Sequence, residues 1–173
     1  ENDLKKAINA RLEKEIRISD VSIVDKDFHS RFNAKSKEYN YYCTLDKNPL
    51  DIRNHYYVKN VNTEILNNIS QLIIGEHDFL SFSKFSNKEN NRCLILKSEW
   101  ILDKSNQKLL YIIRGNRFLH HMVRYLVGTM IATAQNKINK KEFERLLIEP
   151  RKDAKIYKSP AKGLILKEIF YED

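Results

Sequence analysis

Apolar residues recur at two spacings along this chain, and each spacing predicts one type of element. Leu4, Ile8 and Leu12 stand four residues apart and predict a helix over 3–14. Strands are predicted wherever apolar and polar residues alternate, over 16–18, 21–24, 37–45, 94–102, 109–114 and 163–171. Further helices are predicted from Asn62 or Thr63 to a stop at Gly75, over 117–135, and from Asn139 to before Pro150.

The order of these elements predicts the fold class. Strands gather in runs with helices set between them, rather than alternating strictly with helices. This order favours an α+β domain with a mostly antiparallel sheet and helices packed on one face. The 173 residues contain no repeat and no linker, so we predict a single domain over 1–173.

Charge and cysteine content narrow the classes of function. Lysine and arginine outnumber aspartate and glutamate by 31 to 23, giving a formal net charge of +8. This balance favours a polyanionic partner if the fold gathers the charge on one surface. Cys43 and Cys93 lack metal-binding spacing, which indicates reduced thiols in a cytosol. No apolar run approaches the roughly 18 residues of a membrane span, so we expect no membrane association.

Basic residues are concentrated at the start of the 117–135 helix. If the helix begins at Arg117, then Arg117, His120, His121, Arg124 and Gly128 share the side opposite its apolar stripe. This side is either a solvated surface or an anion site, for which the planar donor fork of Arg124 is suited. A metal site is disfavoured, because adjacent helical residues point about 100° apart and no further Cys or His stands at ligand spacing.

Cations alternate with aromatic residues over 29–42, a pattern typical of nucleic-acid binding. Cations such as Arg31 and Lys37 meet phosphates, and the ring of Tyr39 can stack on an exposed base. Tyr39 and Tyr41 could equally belong to the core face of a strand, and the residues alone favour this core interpretation, since aromatic residues are favoured in strands. The acidic segment 75–82 is interpreted as a cap and turn rather than an acid–base pair. No phosphate-binding glycine loop or nucleophile elbow occurs.

Six segments, in this order, resemble the C-terminal part of the TruA-type tRNA pseudouridine synthases and span nearly all of the chain. They are Ala7-Ile-Asn-Ala-Arg-Leu12 with Ile16, Phe28-His-Ser-Arg-Phe-Asn-Ala34, Lys37-Glu-Tyr-Asn-Tyr41, Gly75-Glu-His-Asp-Phe79 with Ser81-Phe82, Phe118-Leu-His-His-Met-Val-Arg124 with Val127-Gly-Thr129, and Gly163-Leu-Ile-Leu166. The resemblance implies isomerisation of uridine to pseudouridine in the anticodon stem-loop of tRNA. It also implies a cytoplasmic homodimer that uses neither metal nor cofactor.

The resemblance also implies roles for individual residues. Tyr39 would stack on the target base and assist proton removal, and Leu164 would form part of an apolar wall against the base. Arg124 would hold the family's nucleophilic aspartate ionised. Candidates for phosphate contacts are Arg31, Lys37, Arg117, His120 and His121.

The family's nucleophile lies in a GRTDAGVHA-like segment, and no such segment occurs in this sequence. The chain therefore resembles a half-enzyme without the N-terminal half, and we expect it to be inactive when isolated. Two departures from the family pattern are Glu13, in place of a proline, and 154–160, in place of an AG.TAP-like stretch. The alternatives are a non-catalytic RNA-binding module of the same fold and an unrelated basic domain. The unrelated domain would not bring Tyr39, Arg124 and Leu164 together.

Overall fold

The computed structural model describes residues 2–84 and 90–172. The chain divides into two compact units, Glu1–Asn33 and Ala34–Asp173.

The smaller unit contains one short helix, α1 (Asn2–Asn9), followed by irregular chain. The helix ends five residues before the end predicted for it, and the strands predicted over 16–18 and 21–24 are wrong. The side chain of Asn9 explains part of this difference. It donates to the Ile18 carbonyl at 2.9 Å and accepts from the Ile18 N–H at 2.8 Å, so these backbone groups are not available for a ladder.

The larger unit contains six strands and three helices among the described residues. In chain order they are β1 (Ser36–Thr44), β2 (Tyr56–Tyr57), α2 (Thr63–Gln71), β3 (Gly75–Asp78), β4 (Arg92–Asp103), β5 (Lys108–Gly115), α3 (Met122–Ala134), α4 (Lys140–Ile148) and β6 (Leu164–Phe170).

The strands form one sheet in the order β2-β1-β5-β4-β3, with β6 also paired to β1. Every pairing is antiparallel except the short parallel contact of β1 with β2. Tyr41, Tyr111 and Trp100 stand in register across three strands, on the face that packs against α2 and α3. The predicted α+β class with a mostly antiparallel sheet is therefore confirmed.

Helix α2 covers the part of β4 that extends beyond the short strand β3. The Asn67 side chain accepts from the Trp100 N–H at 3.1 Å, and Gln71 donates to the Ser98 carbonyl at 2.9 Å. These two side chains satisfy backbone groups that a neighbouring strand would otherwise pair. The sequence prediction missed β3, because it interpreted 75–82 as a cap and turn. Gly75 opens that strand with a φ of 103°, a left-handed conformation that favours glycine.

Helix α3 begins five residues later than predicted. His121, immediately before it, has a φ of 63°, and this left-handed residue separates 117–120 from the helix. The prediction that Arg117, His120 and His121 share a helical face with Arg124 is therefore wrong. Eleven of the 13 residues of α3 are buried, so it is the central helix of this unit, as predicted. Within residues 2–84 and 90–172, no helix is long and apolar enough to cross a membrane.

The cap of α2 gives a test of the local structure. The Asn62 side chain accepts from the backbone N–H groups of Glu64 and Ile65 at 2.9 and 3.1 Å. Asn62→Ala is expected to lower the free energy of unfolding by about 1 kcal/mol, measured by urea denaturation, because these groups lose their acceptor. Asn62→Ser keeps an acceptor and is the control, expected within about 0.5 kcal/mol of the wild type. An equal loss in both variants would contradict the assigned cap.

Candidate functional site

Arg124, in the first turn of α3, is joined to Ser159 by three hydrogen bonds. The Arg124 Nε donates to the Ser159 carbonyl at 2.8 Å. In the other direction, the N–H and the hydroxyl of Ser159 each donate to the Arg124 carbonyl at 3.0 Å. Ser159 is buried, so this contact fixes both the backbone and the side chain of Arg124. We call it the Arg124–Ser159 clasp.

The clasp depends on close approach between α3 and the segment 157–159. A Cβ placed on Gly128 would lie 2.4 Å from the Tyr157 carbonyl oxygen and 2.8 Å from the Ser159 nitrogen, so only glycine fits there. The helix has no side chain at this position, so the backbone of 157–159 can approach it closely. Next to it, the Thr129 hydroxyl accepts from the Tyr157 N–H at 3.2 Å. Gly128, which the sequence placed on a basic face, therefore serves backbone packing.

The sheet holds the other end of the same segment. The Tyr41 hydroxyl donates to the Pro160 carbonyl at 2.6 Å, and Tyr41 stands opposite Leu164 in the pairing of β1 with β6. Burial raises the pKa of Tyr41, so its phenol stays protonated and donates. The nearby charge of Arg124 acts on this pKa in the opposite direction. Arg124 and Leu164 therefore both lie close to Tyr41.

Tyr39 lies two residues before Tyr41 on the same face of β1. Its ring meets Phe118 edge to face, with centroids 5.1 Å apart and an interplanar angle of 85°. Burial raises the pKa of Tyr39, so the phenol is neutral near pH 7. Stacking on a base requires no ionisation, whereas accepting a proton does. The surroundings of Tyr39 therefore favour the stacking role over the proton-removing role.

Tyr39, Arg124 and Leu164 are thus all neighbours of Tyr41: Tyr39 along β1, Leu164 across the pairing with β6, and Arg124 through its charge and its contact with Ser159. Among residues 2–84 and 90–172, no carboxylate forms an ion pair with Arg124. Since its Nε is held by Ser159, the two terminal nitrogens of the guanidinium remain as donors for a partner. The result is a half-buried cation beside an aromatic and aliphatic surface. Such a surface suits a planar base together with an anionic group.

Further cations surround the start of α3. The charges of His120, Lys158, Arg124 and Lys84 all lower the pKa of His121, after the larger effect of burial. Burial also lowers the pKa of Lys158, and the charges of Arg124 and Lys84 lower it further. The sequence prediction missed Lys84 and Lys158. That prediction considered only charges at helical spacing, whereas these two lysines belong to segments that are far apart in the sequence.

The other predicted phosphate contacts lie in different surroundings. His120 stacks on His121, with centroids 3.9 Å apart. Arg117 lies in the turn before α3 and donates to the Asn90 carbonyl at 3.4 Å. Lys37 stands in β1 on the same face as Tyr39, opposite Gly115. Arg31 belongs to the smaller unit, where its guanidinium lies 5.7 Å from the Phe32 ring centroid.

A separate cavity of about 390 Å³ opens beside the loop that follows β1. Its lining includes Pro49, Ile52, His55 and Tyr57, and none of the predicted site residues. In the described part of the chain, no group of three or more His, Cys, Asp or Glu side chains is arranged to hold a metal ion. The cluster around Arg124 therefore remains the candidate site.

Comparison with known proteins defines the class of protein. A family model described as tRNA pseudouridine synthase matches residues 69–172, more than half of the chain. The matched part contains α3, the Arg124–Ser159 clasp and β6. The chain belongs to the tRNA pseudouridine synthase family.

Individual relatives agree with this assignment. The chain is 37% identical over 169 residues to tRNA pseudouridine synthase A of Phytoplasma mali, an alignment covering 96% of the chain and 68% of the relative. It is 35% identical over 167 residues to the Chlorobium limicola protein of that name, covering 95% and 68%. A third, from Borrelia hermsii, is 35% identical over 175 residues, covering 98% and 70%.

The close packing at Gly128 gives a direct test of the clasp. Gly128→Ala is expected to lower the free energy of unfolding by about 2–4 kcal/mol, because the added methyl must push the 157–159 backbone away from α3. Urea denaturation measures the change. The control is Lys155→Ala, an exposed position in the same chain segment, expected to stay within about 0.5 kcal/mol of the wild type. A Gly128→Ala protein as stable as the wild type would contradict the packing described.

Proposed function

We propose that this protein acts in the isomerisation of uridine to pseudouridine in tRNA, and that Tyr39, Arg124 and Leu164 line its uridine site. The observation that carries the proposal is their convergence around Tyr41. The family membership of the chain and the names of its relatives support the same reaction. The alternative of an unrelated basic domain is disfavoured, because that domain would leave the three residues apart.

The proposed site contributes to the reaction in two ways: a charged group acts on the nucleophile, and apolar groups exclude water from the base. The reaction breaks the bond between the ribose and a nitrogen of uracil, turns the base, and rejoins it through carbon. Atoms and electrons balance without any cofactor. Leu164 and Phe118 supply apolar surface that keeps water from the detached base. Tyr39 stacks on the base and limits the positions it can take.

Arg124 is proposed to hold a catalytic carboxylate ionised. A guanidinium within a few ångströms favours the charged form of a carboxyl group and lowers its pKa. Two donor nitrogens of Arg124 are left for this purpose once the clasp is made. We propose that the carboxylate comes from a GRTDAGVHA-like segment outside these 173 residues, since the sequence contains none.

The substrate region and the assembly are proposed on the same basis. The net charge of +8 and the cations near α3 favour a polyanion, and we propose the anticodon stem-loop of tRNA. Within the described residues, the thiols of Cys43 and Cys93 are free and buried, which supports a reducing, cytoplasmic location. The complete enzyme is proposed to be a homodimer.

A second candidate function is a non-catalytic RNA-binding module with the same fold. The basic residues gathered near the start of α3 favour it, because phosphate contacts suffice for binding RNA. It shares the phosphate contacts of the enzyme but would not need Arg124 to face an open site. The two candidates therefore differ in what Arg124 does.

The decisive experiment uses a chimeric protein in which a relative supplies the nucleophile. Residues 1–173 replace the aligned portion of the Phytoplasma mali relative, which is 37% identical to them. Tritium release from tRNA labelled at the uracil carbon that gains the new bond measures turnover. Arg124→Met is expected to lower the rate by about 10²–10⁴-fold, because an unpaired buried carboxylate costs about 3–5 kcal/mol.

The exposed Lys141→Gln variant is the matched control for this chimera, and it is expected to keep the full rate. Circular dichroism confirms that each variant is folded. A folded chimera without turnover would contradict the proposed enzyme and favour the binding module. A fully active Arg124→Met variant would contradict the role given to Arg124.

The isolated chain provides the complementary prediction. Residues 1–173 alone are expected to release no tritium from the labelled tRNA, because the family's nucleophile is not among them. The assay includes the active Phytoplasma mali relative as the positive control. Turnover by the isolated chain would show that the nucleophile lies within it.

A further inference from the structure

Five basic side chains meet at the start of α3 from separate parts of the chain. Lys84 follows the 3₁₀ turn Leu80–Phe82, His120 and His121 precede α3, Arg124 lies in its first turn, and Lys158 precedes Ser159. The charged groups that act on His121 and on Lys158 are all cations. Like charges brought together repel, so the fold keeps this cluster at a cost to its own stability.

Backbone contacts fix the parts of the cluster relative to one another. The Lys84 N–H donates to the His120 carbonyl at 3.0 Å, so the Lys84 segment is tied to the histidine pair. Tyr125 stands between His121 and Lys158, with its ring centroid 6.4 Å from the imidazole and 5.6 Å from the Lys158 Nζ. The clasp holds Lys158 next to Arg124 through the neighbouring residue Ser159.

The described residues supply no counter-ion to this cluster. None of the seven ion pairs in residues 2–84 and 90–172 involves Lys84, His120, His121, Arg124 or Lys158. Elsewhere cations are matched, as where Arg92 pairs with Glu76 at 2.7 Å and Lys97 with Glu99 at 2.8 Å. Within the described residues the cluster is thus left without a carboxylate, and an anion from another molecule would balance its charge.

We propose that Lys84, His121 and Lys158 form a binding site for one backbone phosphate of the substrate RNA, immediately beside Arg124. This inference rests on the proposed function, since it assigns the phosphate to the RNA strand that carries the target uridine. Tyr125 forms the floor of the site, and the first turn of α3 adds its partial positive charge. The phosphate contact sets the position of the nucleotide before Arg124 and Tyr39 act on the rest of it.

The site also makes binding dependent on pH. In the free protein, burial and the charges of His120, Lys158, Arg124 and Lys84 lower the pKa of His121, so His121 is mainly neutral near pH 7. A bound phosphate opposes all four charges and raises the pKa of His121, so a proton is taken up on binding. Affinity for RNA therefore rises as pH falls from 8 to 6, provided that His121 faces the phosphate.

The first test measures the affinity of the full 173-residue chain for a tRNA transcript by fluorescence anisotropy, at several salt concentrations. The double variant Lys84→Gln/Lys158→Gln is expected to bind about 10-fold more weakly. The slope of log K against log salt is expected to lose about one unit of magnitude. The control, Lys104→Gln/Lys141→Gln, removes the same charge from two exposed positions and is expected to stay within about threefold of the wild type.

The second test follows the same affinity from pH 8 to pH 6. The wild type is expected to gain about fivefold, and His121→Gln is expected to remove most of that gain. His77→Gln is the control, since the His77 Nε2 donates to the Ile74 carbonyl at 3.1 Å rather than joining the cluster. If His121→Gln and His77→Gln titrate alike, the proposal is wrong.

The remaining outcomes separate this proposal from the proposed function. If the two double variants bind alike, or if the wild-type chain does not bind tRNA, the phosphate site is overturned. The reaction itself is judged by tritium release from the chimera described above. An active chimera combined with equal binding of the two double variants would reject the phosphate site and leave the enzyme assignment standing.

Discussion

The clasp between Arg124 and Ser159 is the contact on which the arrangement of this unit depends. It joins the central helix to the chain that enters β6, and it does so through three hydrogen bonds in both directions. Tyr41 continues the connection to the sheet through Pro160. The same atoms that hold the fold together thus determine where the Arg124 guanidinium points. A change that loosens the helix from the 157–160 segment would alter the packing and the site at once.

Glycine at 128 is the condition for that contact. A helix normally keeps a neighbouring chain at the distance of its side chains, and here one position has none. The backbone of 157–159 approaches closely enough to pair with Arg124 and Thr129. The long side chains of Ile156, Tyr157 and Lys158 set this stretch apart from the family's small-residue pattern. Lys158 instead brings a charge to the start of α3.

Much of the fold could be predicted from the sequence because its strands alternate clearly and its helices carry caps. Asn139 caps α4 as expected, by accepting from the Lys141 N–H. The start of α3 could not be predicted, since periodicity continues through His121 although its backbone turns left-handed. The strand expected over 16–18 failed for a related reason. Its alternation is real, but the side chain of Asn9 takes the backbone groups of Ile18.

The residues of the candidate site also differ in how far they could be predicted from the sequence. Tyr39, Arg124 and Leu164 could be selected through the family resemblance, and the structure brings them together. Lys84 and Lys158 carry no signal in sequence spacing, because 74 positions separate them along the chain. Their proximity is a product of tertiary structure alone. The predicted roles of all the site residues stay predictions: those of Tyr39, Arg124 and Leu164, and those of Arg31, Lys37, Arg117, His120 and His121.

The amides of α2 that cover β4 have a consequence for how this protein behaves at high concentration. An exposed strand edge is a template for pairing with a second molecule, and such pairing leads to aggregation. Asn67 and Gln71 occupy the backbone groups of β4 at Trp100 and Ser98, so a foreign strand finds no partners there. On β6, the charged residues Lys167 and Glu168 discourage the same event. The sheet is thus protected against intermolecular growth by amides on one strand and by charge on another.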